Sequence, residues 1–460
     1  LEAERGTATK RAAGRTPVVV IGGGPAGLLA ASRSASLGAQ VVLLERTALL
    51  GTKLRLSGGG RCNLSNTAPI DAFLAHFGPS FFLRNALARF SSQDLIAFLE
   101  ARGVPVRVEA DGRVFPASGS AHQVAEALIR YSGEQGVRVR TSSRVTALIH
   151  AEGRLQGVLL EGGETLAARA AIVATGGASY PRTGSTGDGY RLAAAAGHTI
   201  VPVHPALTPL VVQGSEPRAL AGLSLAGIQA RLLIDGSEVE SATGDLLFTH
   251  DGLSGPAVLA LSGAATSPAA QGLVEVSLNL WPSLGRDDLD ARMTLSLTRS
   301  GRRAARSWLK AWAPARLADL LLRRAAVSPA RPACQLSASE RERLRRLLQD
   351  LRFLVTGHGS WDEAMLTAGG VDTREVDPRT MGSRLVAGLL FAGEVLDLQA
   401  GTGGFNLQAA FSTGWVAGTA AEHLASRPPA GMLCDGQRAA EPGQRAAVPR
   451  PPSEQSPHGN

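Results

Sequence analysis

The 460-residue chain predicts an α/β fold built around a Rossmann-like nucleotide-binding domain. Three stretches predict it: a glycine turn between a strand and a helix near the N-terminus, a central strand ending in Thr175-Gly176-Gly177, and a C-terminal strand followed by glycines and a small-residue helix. The first opens with the apolar run Val18 to Ile21 and turns through Gly22-Gly23-Gly24-Pro25-Ala26-Gly27. It continues as LLAASRSASLG at helical period and returns as Val41 to Leu44, ending on Glu45. Strand, turn, helix and strand follow in the order a dinucleotide site requires.

Each element has a chemical reason. Gly22 permits the tight turn, Gly24 lets a pyrophosphate approach the backbone, and Gly27 lets helix and strand pack closely, with Pro25 and Ala26 completing the turn. The helix that follows directs unpaired N–H groups at the phosphates. Glu45 is placed to accept ribose hydroxyls, and its charge repels a 2′-phosphate.

In the second stretch, RVTALIHAEGRLQGVLLEGGETLAARAAIVATGG reads as three strands separated by turns and ends at Thr175 and Gly176. In the third, GLLFAGEVLDLQAGTGGFNLQAAFSTGWVAG reads as a buried strand to Ala392, the turn Gly393-Glu394, a loop, and a helix starting near Gly403, Gly404, Phe405 and Asn406. A nicotinamide-binding domain does not need this distant glycine cluster. An FAD domain does, because the flavin end lies far from the adenosine, so non-covalent FAD is the expected cofactor. A helix N-terminus aimed at reduced flavin would stabilise its negative charge by about 0.3–2 kcal/mol, and Phe405 is a candidate to pack on the ring.

Between these stretches lies LSGGGRCNLSN. Gly58, Gly59 and Gly60 let backbone N–H groups reach a flat ring or a phosphate without Cβ interference. Lys53 and Arg61 are expected to offset phosphate charge, and Ser57 and Asn63 to supply neutral donors and acceptors. Cys62, beside Arg61, invites a redox role, but Cys334 and Cys434 are remote, and a packed structural thiol is expected.

Composition narrows the function. The three cysteines show no CxxC and no Cys/His spacing suited to metal, so neither a disulfide framework, a disulfide-reductase relay nor a zinc site is indicated, and a reducing, cytoplasmic setting fits. No apolar run reaches the length of a membrane-spanning helix. Net charge is +8, yet residues 286–352 hold 16 Arg and Lys against 7 Asp and Glu, so the remainder of the chain is nearly neutral. Only three of the 47 basic residues are lysine, a bias that discounts the arginine total as evidence for nucleic acid and leaves this segment expected as a solvated face.

GGGPAGLLAA, GTKLRLSGGGRCNLSN, ATGGASYPRTGSTGDGY, LFTHDGLSGPA and the C-terminal glycine stretch together resemble the BaiN/YhiN-type FAD-dependent flavoproteins, over roughly residues 17 to 422. The resemblance implies an FAD domain at 17–195 and 370–425, a β-rich insert at 196–285 and 345–369, and a helical insert at 286–344. Residues 1–16 and 426–460 are expected to be disordered tails. It also implies an oxidoreductase in which flavin N5 exchanges a hydride with a small organic substrate. With no second complete GxGxxG, NAD(P)H would serve as a transient donor only. His250, on the insert expected to cover the flavin, and Tyr180, beyond the central glycines, are the candidate proton-transfer groups. A flavin-dependent RNA-modifying enzyme and a non-catalytic flavin-bound scaffold are the alternatives.

Overall fold

The computed structural model describes residues 16–78, 81–300 and 302–426, so apart from their innermost residues the two expected tails, and Cys434, lie outside the described residues. Seven strands form the central sheet. In order they are Val376–Asp377, Gly382–Ser383, Leu389–Phe391, Ala170–Val173, Val18–Ile21 (β1), Val41–Leu44 (β2) and Arg138–Arg140. The five from Leu389–Phe391 to Arg138–Arg140 are parallel. Val18, Val19 and Val20 have no exposed surface, which is why β1 reads as an unbroken apolar run: a central parallel strand is covered on both faces.

Register places the functional loops. Ile21 lies beside Leu44 and Val173, and Val173 beside Phe391, so four strands end level with one another. The segments beginning at Gly22, Glu45, Ala174 and Ala392 therefore all leave the same edge of the sheet, the carboxyl edge at which open α/β sheets bind ligands.

The helix α1, Pro25–Ser36, lies against the C-terminal helix Phe405–Ser426. The contact is backbone on backbone. A Cβ on Gly414 would sit 2.4 Å from the Ala26 carbonyl oxygen, and one on Gly418 would sit 2.4 Å from that of Ala30. Ser34 Oγ donates to the Gly418 carbonyl (2.6 Å), and Thr413 Oγ1 accepts from the Gly393 N–H (3.0 Å), tying the helix to the turn after Phe391.

The insert is a closed six-stranded barrel, in the order Leu210–Val212, Gly252–Ser254, Ser237–Phe248, Ser224–Ile234, Val274–Asn279 and Leu351–His358. The antiparallel pair Ile200–Ala206 and Leu366–Val371 connects it to the sheet domain. Helices Arg286–Ser300, Ala305–Leu309, Ala315–Arg324 and Ala338–Gln349 interrupt the barrel before its last strand. They share its core: Trp308, Leu320, Leu321, Leu344 and Leu348 belong to the same apolar cluster as Leu232, Val276 and Phe353. The last helix starts on a Ser337/Glu340 capping box and runs to Gln349, past the expected boundary at 344, because Leu344 and Leu348 continue one buried stripe.

Gly414→Ala tests the helix contact. Alanine in a helix interior ordinarily stabilises relative to glycine by about 0.5–1 kcal/mol. Here the added methyl collides with backbone, and chemical denaturation is expected to show a loss of about 1–3 kcal/mol. A gain in stability would mean that the two helices do not meet through these atoms.

Candidate functional site

The level strand ends surround one cavity. Of the glycine turn, Gly22, Gly24, Pro25 and Ala26 line it; beside them are Glu45, Lys53, Ser57, Gly58 and Asn63. Thr175, Gly176, Gly393 and Glu394 line its middle, with Gly403, Gly404 and Asn406 at the start of the C-terminal helix. Motifs scattered over nearly 400 residues thus converge, because the parallel register brings their loops to one edge.

Two glycines of the first turn differ instructively. A Cβ on Gly27 would lie 1.9 Å from the Gly22 carbonyl oxygen, so glycine there is demanded by the fold itself. Gly24 has ordinary extended backbone (φ −80°), and no atom lies within 4 Å of the place a Cβ would occupy, so nothing in the protein requires it to lack a side chain. A side chain there would fill the cavity, which is the demand a ligand makes. Gly24 caps α1 without any side-chain hydrogen bond to the first turn, leaving the N-terminal N–H groups for an anion. Glu45 joins turn and strand: one carboxylate oxygen accepts from Gly23 N–H (2.8 Å), the other from the Thr47 N–H (2.8 Å) and hydroxyl (2.9 Å).

The middle of the cavity is held by a polar hub. Lys53 Nζ donates to both Glu394 oxygens (2.7 and 3.0 Å) and to Ser179 Oγ (2.7 Å), which uses all three ammonium protons. Glu394 also accepts from the Thr367 N–H (2.9 Å), while Thr367 Oγ1 accepts from the N–H groups of Ala178 (2.8 Å) and Ser179 (3.2 Å). Thr367 stands on a strand of the insert, so the hub bolts insert to sheet domain. Burial and the Glu394 charge push the neighbouring Tyr190 phenol far above its ordinary range; its hydroxyl donates to the Glu394 backbone carbonyl (3.3 Å).

The loop around Cys62 locks onto the C-terminal helix. In the amide orientation that satisfies both neighbours, Asn63 donates to the Ser65 carbonyl (3.2 Å) and accepts from the Gly404 N–H (3.0 Å). Asn406 folds the preceding loop back, accepting from Ala400 N–H (2.9 Å) and donating to the Ala400 carbonyl (2.8 Å). Gly58 and Gly59 take left-handed backbone (φ 58° and 66°).

Several expected residues stand elsewhere. Arg61 is exposed and off the lining, its guanidinium 4.9 Å from the Phe115 ring centre, and Lys53 is already neutralised by Glu394. Gly59 is off the lining too, on the turn. Phe405 does not face the cavity: it meets Phe73 edge-on (4.9 Å) and stacks on His76 (3.8 Å). Tyr180 lies outside the lining, half-buried at φ 54°, with its N–H donating to the Trp361 carbonyl. His250 is exposed on the turn between two barrel strands and is not among the lining residues. Cys62 is fully buried, and burial pushes its thiol up to about 11.

The lining also contains residues that the motifs do not single out. Asp188, at the start of the helix Asp188–Ala195, accepts from Arg46 (2.8 Å), Arg144 (2.9 and 3.2 Å) and Arg191 beside Glu45. Leu207, Met365 and Leu366 add apolar lining from the barrel side; Leu207 holds left-handed backbone (φ 50°), and its carbonyl accepts from the Met365 N–H (3.2 Å). Asp188 sits within the STGDGY stretch, whose glycines and acid signal a helix start; Leu207 and Met365 follow no pattern. Among the described residues no group of three His, Cys, Asp or Glu side chains is arranged for a metal ion, and no helix is long and apolar enough to cross a membrane.

The glycine cradle, the uncapped N-terminus of α1 and the Glu45 carboxylate fit FAD, and two expectations follow. Gly24→Val should lose the yellow colour while keeping a stability within about 0.5 kcal/mol of the FAD-free parent, as surface changes do. Gly27→Ala should lose both; equal behaviour of the two variants would count against the assignment of Gly24 to a ligand. Cys62 stays a protonated thiol below about pH 10, since its pKa is raised, so native protein should resist iodoacetamide at about pH 7.5 and Cys62→Ser should retain FAD and its reduction by dithionite. Rapid alkylation with loss of reducibility would contradict this.

The family model of the HI0933-like protein Rossmann domain matches residues 16–420. A 3-dehydro-bile acid delta(4,6)-reductase of Clostridium scindens is 32% identical over 413 residues, 89% of this chain and 99% of its own. A ribosomal RNA dihydrouridine synthase of Escherichia coli is 31% identical over 402 residues, 87% of this chain and 96% of its own. Among solved structures, the open conformation of a flavocytochrome c3 fumarate reductase covers 90% of this chain and 79% of its own at 18% identity and a TM-score of 0.46. The chain belongs to the HI0933-like Rossmann family, the FAD-dependent flavoproteins that its glycine motifs resemble.

Proposed function

We propose that this FAD-dependent oxidoreductase reduces a carbon–carbon double bond conjugated to a carbonyl group. The two relatives' names describe different molecules with that one feature in common. A 3-dehydro-bile acid with double bonds at positions 4 and 6 carries an alkene conjugated to its 3-carbonyl. Dihydrouridine is uridine reduced at the ring double bond conjugated to a carbonyl. In both, the carbon remote from the carbonyl is electron-poor and accepts hydride, and its neighbour takes a proton.

FAD, when bound, supplies hydride-transfer chemistry at flavin N5. The chain's residues bind and shape. The N-terminus of α1 and the open Gly24 position receive the pyrophosphate, Glu45 the ribose, and the start of the C-terminal helix the ring's electron-rich edge. The observation that carries the proposed substrate class is the charge state of the lining. Its three cations, Arg46, Lys53 and Arg144, are balanced by its three carboxylates, Glu45, Asp188 and Glu394, and its apolar lining includes Leu207, Met365 and Leu366. A neutral, flat, partly apolar ring suits such a site; a carboxylate substrate would find no net positive charge among the described lining residues. NAD(P)H is the proposed transient donor.

Anaerobic spectroscopy tests this. NADH or NADPH should bleach the bound flavin, and a 4-en-3-one steroid or a uridine-containing RNA should restore the colour, whereas the saturated ketone should not. Restoration by oxygen or quinones alone, with every conjugated carbonyl inert, would overturn the proposal.

A further inference from the structure

Two carboxylates of the helical insert are each surrounded by three cations. Asp319 accepts two hydrogen bonds from the Arg306 guanidinium (2.6 and 2.8 Å), and its charge is also felt by Arg323 and Lys310. Glu342 contacts Arg345 (2.6 Å), Arg286 (3.4 Å) and Arg346 (3.7 Å). The first cluster keeps a surplus of two positive charges after pairing; in the second, Asp287 and Asp290 also face Arg345 and offset the surplus. Further arginines are fixed in place without being neutralised: Arg316 donates to the carbonyls of Ala219 (3.5 Å) and Ala221 (3.0 Å), and Arg343 to that of Ala325 (2.9 Å).

These cations are not needed to build the insert. Its helices already bury Trp308, Leu320, Leu321, Leu344 and Leu348 in the barrel's core, and Arg306, Lys310, Arg316, Arg323 and Arg346 remain exposed on the outside. A compositional preference for arginine over lysine acts on the whole chain. It explains which cation is used, but not why the surplus gathers on one segment while the rest of the chain is almost neutral. Guanidinium groups held at fixed positions with spare N–H donors match phosphate oxygens.

We propose that this face of the helical insert docks the phosphate backbone of RNA. The choice of RNA rests on the conjugated-alkene chemistry proposed above, of which a uridine in RNA is one substrate; the surface itself rests on the uncompensated charge. Aromatic side chains are sparse on the segment, so contact is to the backbone and binding is steeply salt-dependent.

The test uses the full FAD-loaded chain and a fluorescein-labelled RNA hairpin of about 30 nucleotides, read by anisotropy over a salt series. In the triple variant Lys310→Gln/Arg323→Gln/Arg346→Gln, the slope of log K against log salt should fall in magnitude by about 2, with at least roughly tenfold weaker binding at low salt. Arg323→Lys/Arg346→Lys should keep the parent slope. FAD content and melting temperature should be unchanged in both. An unaltered slope in the triple variant, or no binding by the parent, would overturn the proposal. So would equal retention by phosphatidylglycerol vesicles at matched phosphate concentration; a DNA hairpin of the same sequence is expected to bind with a similar salt slope, because the contact is to phosphate. Reoxidation of reduced flavin by a 4-en-3-one steroid, measured on the same preparations, reports separately on the chemistry, so failure of the surface is distinguishable from failure of the reductase.

Discussion

The architecture depends on two helices touching through their backbones. Ala26 and Ala30 on α1, and Gly414 and Gly418 on the C-terminal helix, leave no side chain between the axes. Any larger residue would push the helices apart and draw the start of the second away from the sheet's carboxyl edge. Because the two segments lie almost 400 residues apart in sequence, this contact closes the sheet domain around everything inserted between them. It also explains why both helix N-termini, each carrying partial positive charge, open on the same cavity.

The second constraint is electrostatic. Placing Lys53 and Glu394 in a half-buried cavity would be unfavourable for either alone, but paired and hydrogen-bonded through Ser179 and Thr367 they satisfy each other. The pair is consequently a structural rivet between insert and sheet domain, and phosphate recognition falls to the glycine turn and helix N–H groups. The Arg46–Asp188–Arg144 arrangement repeats the pattern at the Glu45 end.

Much of this is legible in the residues, for identifiable reasons. Glycine marks positions where backbone approaches backbone or ligand, so Gly22, Gly24, Gly27, Gly176, Gly393 and Gly404 can be placed on one site from local pattern alone. Long polar and aromatic side chains are less legible, since their direction depends on tertiary neighbours. Arg61 turns to Phe115, Phe405 to Phe73 and His76, and Lys53 to Glu394, each finding a nearer partner than the one expected. His250 and Tyr180 stand in motifs that invite proton transfer, yet their positions do not support it, because a motif shows which residues occur together but not which way they face. Leu207, Met365 and Leu366 carry no signal at all: they reach the cavity only because Ile200–Ala206 pairs with Leu366–Val371, a long-range register that no local window contains.

The central claim is that both helices serve one cofactor. A crystal structure of the purified yellow protein tests it most directly. A single FAD is predicted, with its pyrophosphate against the N-terminal turn of α1 and its ring within hydrogen-bond reach of the N–H groups of Phe405 and Asn406. Density for a cofactor engaged by only one of the two helices, or lying outside the cavity at the strands' carboxyl edge, would contradict it.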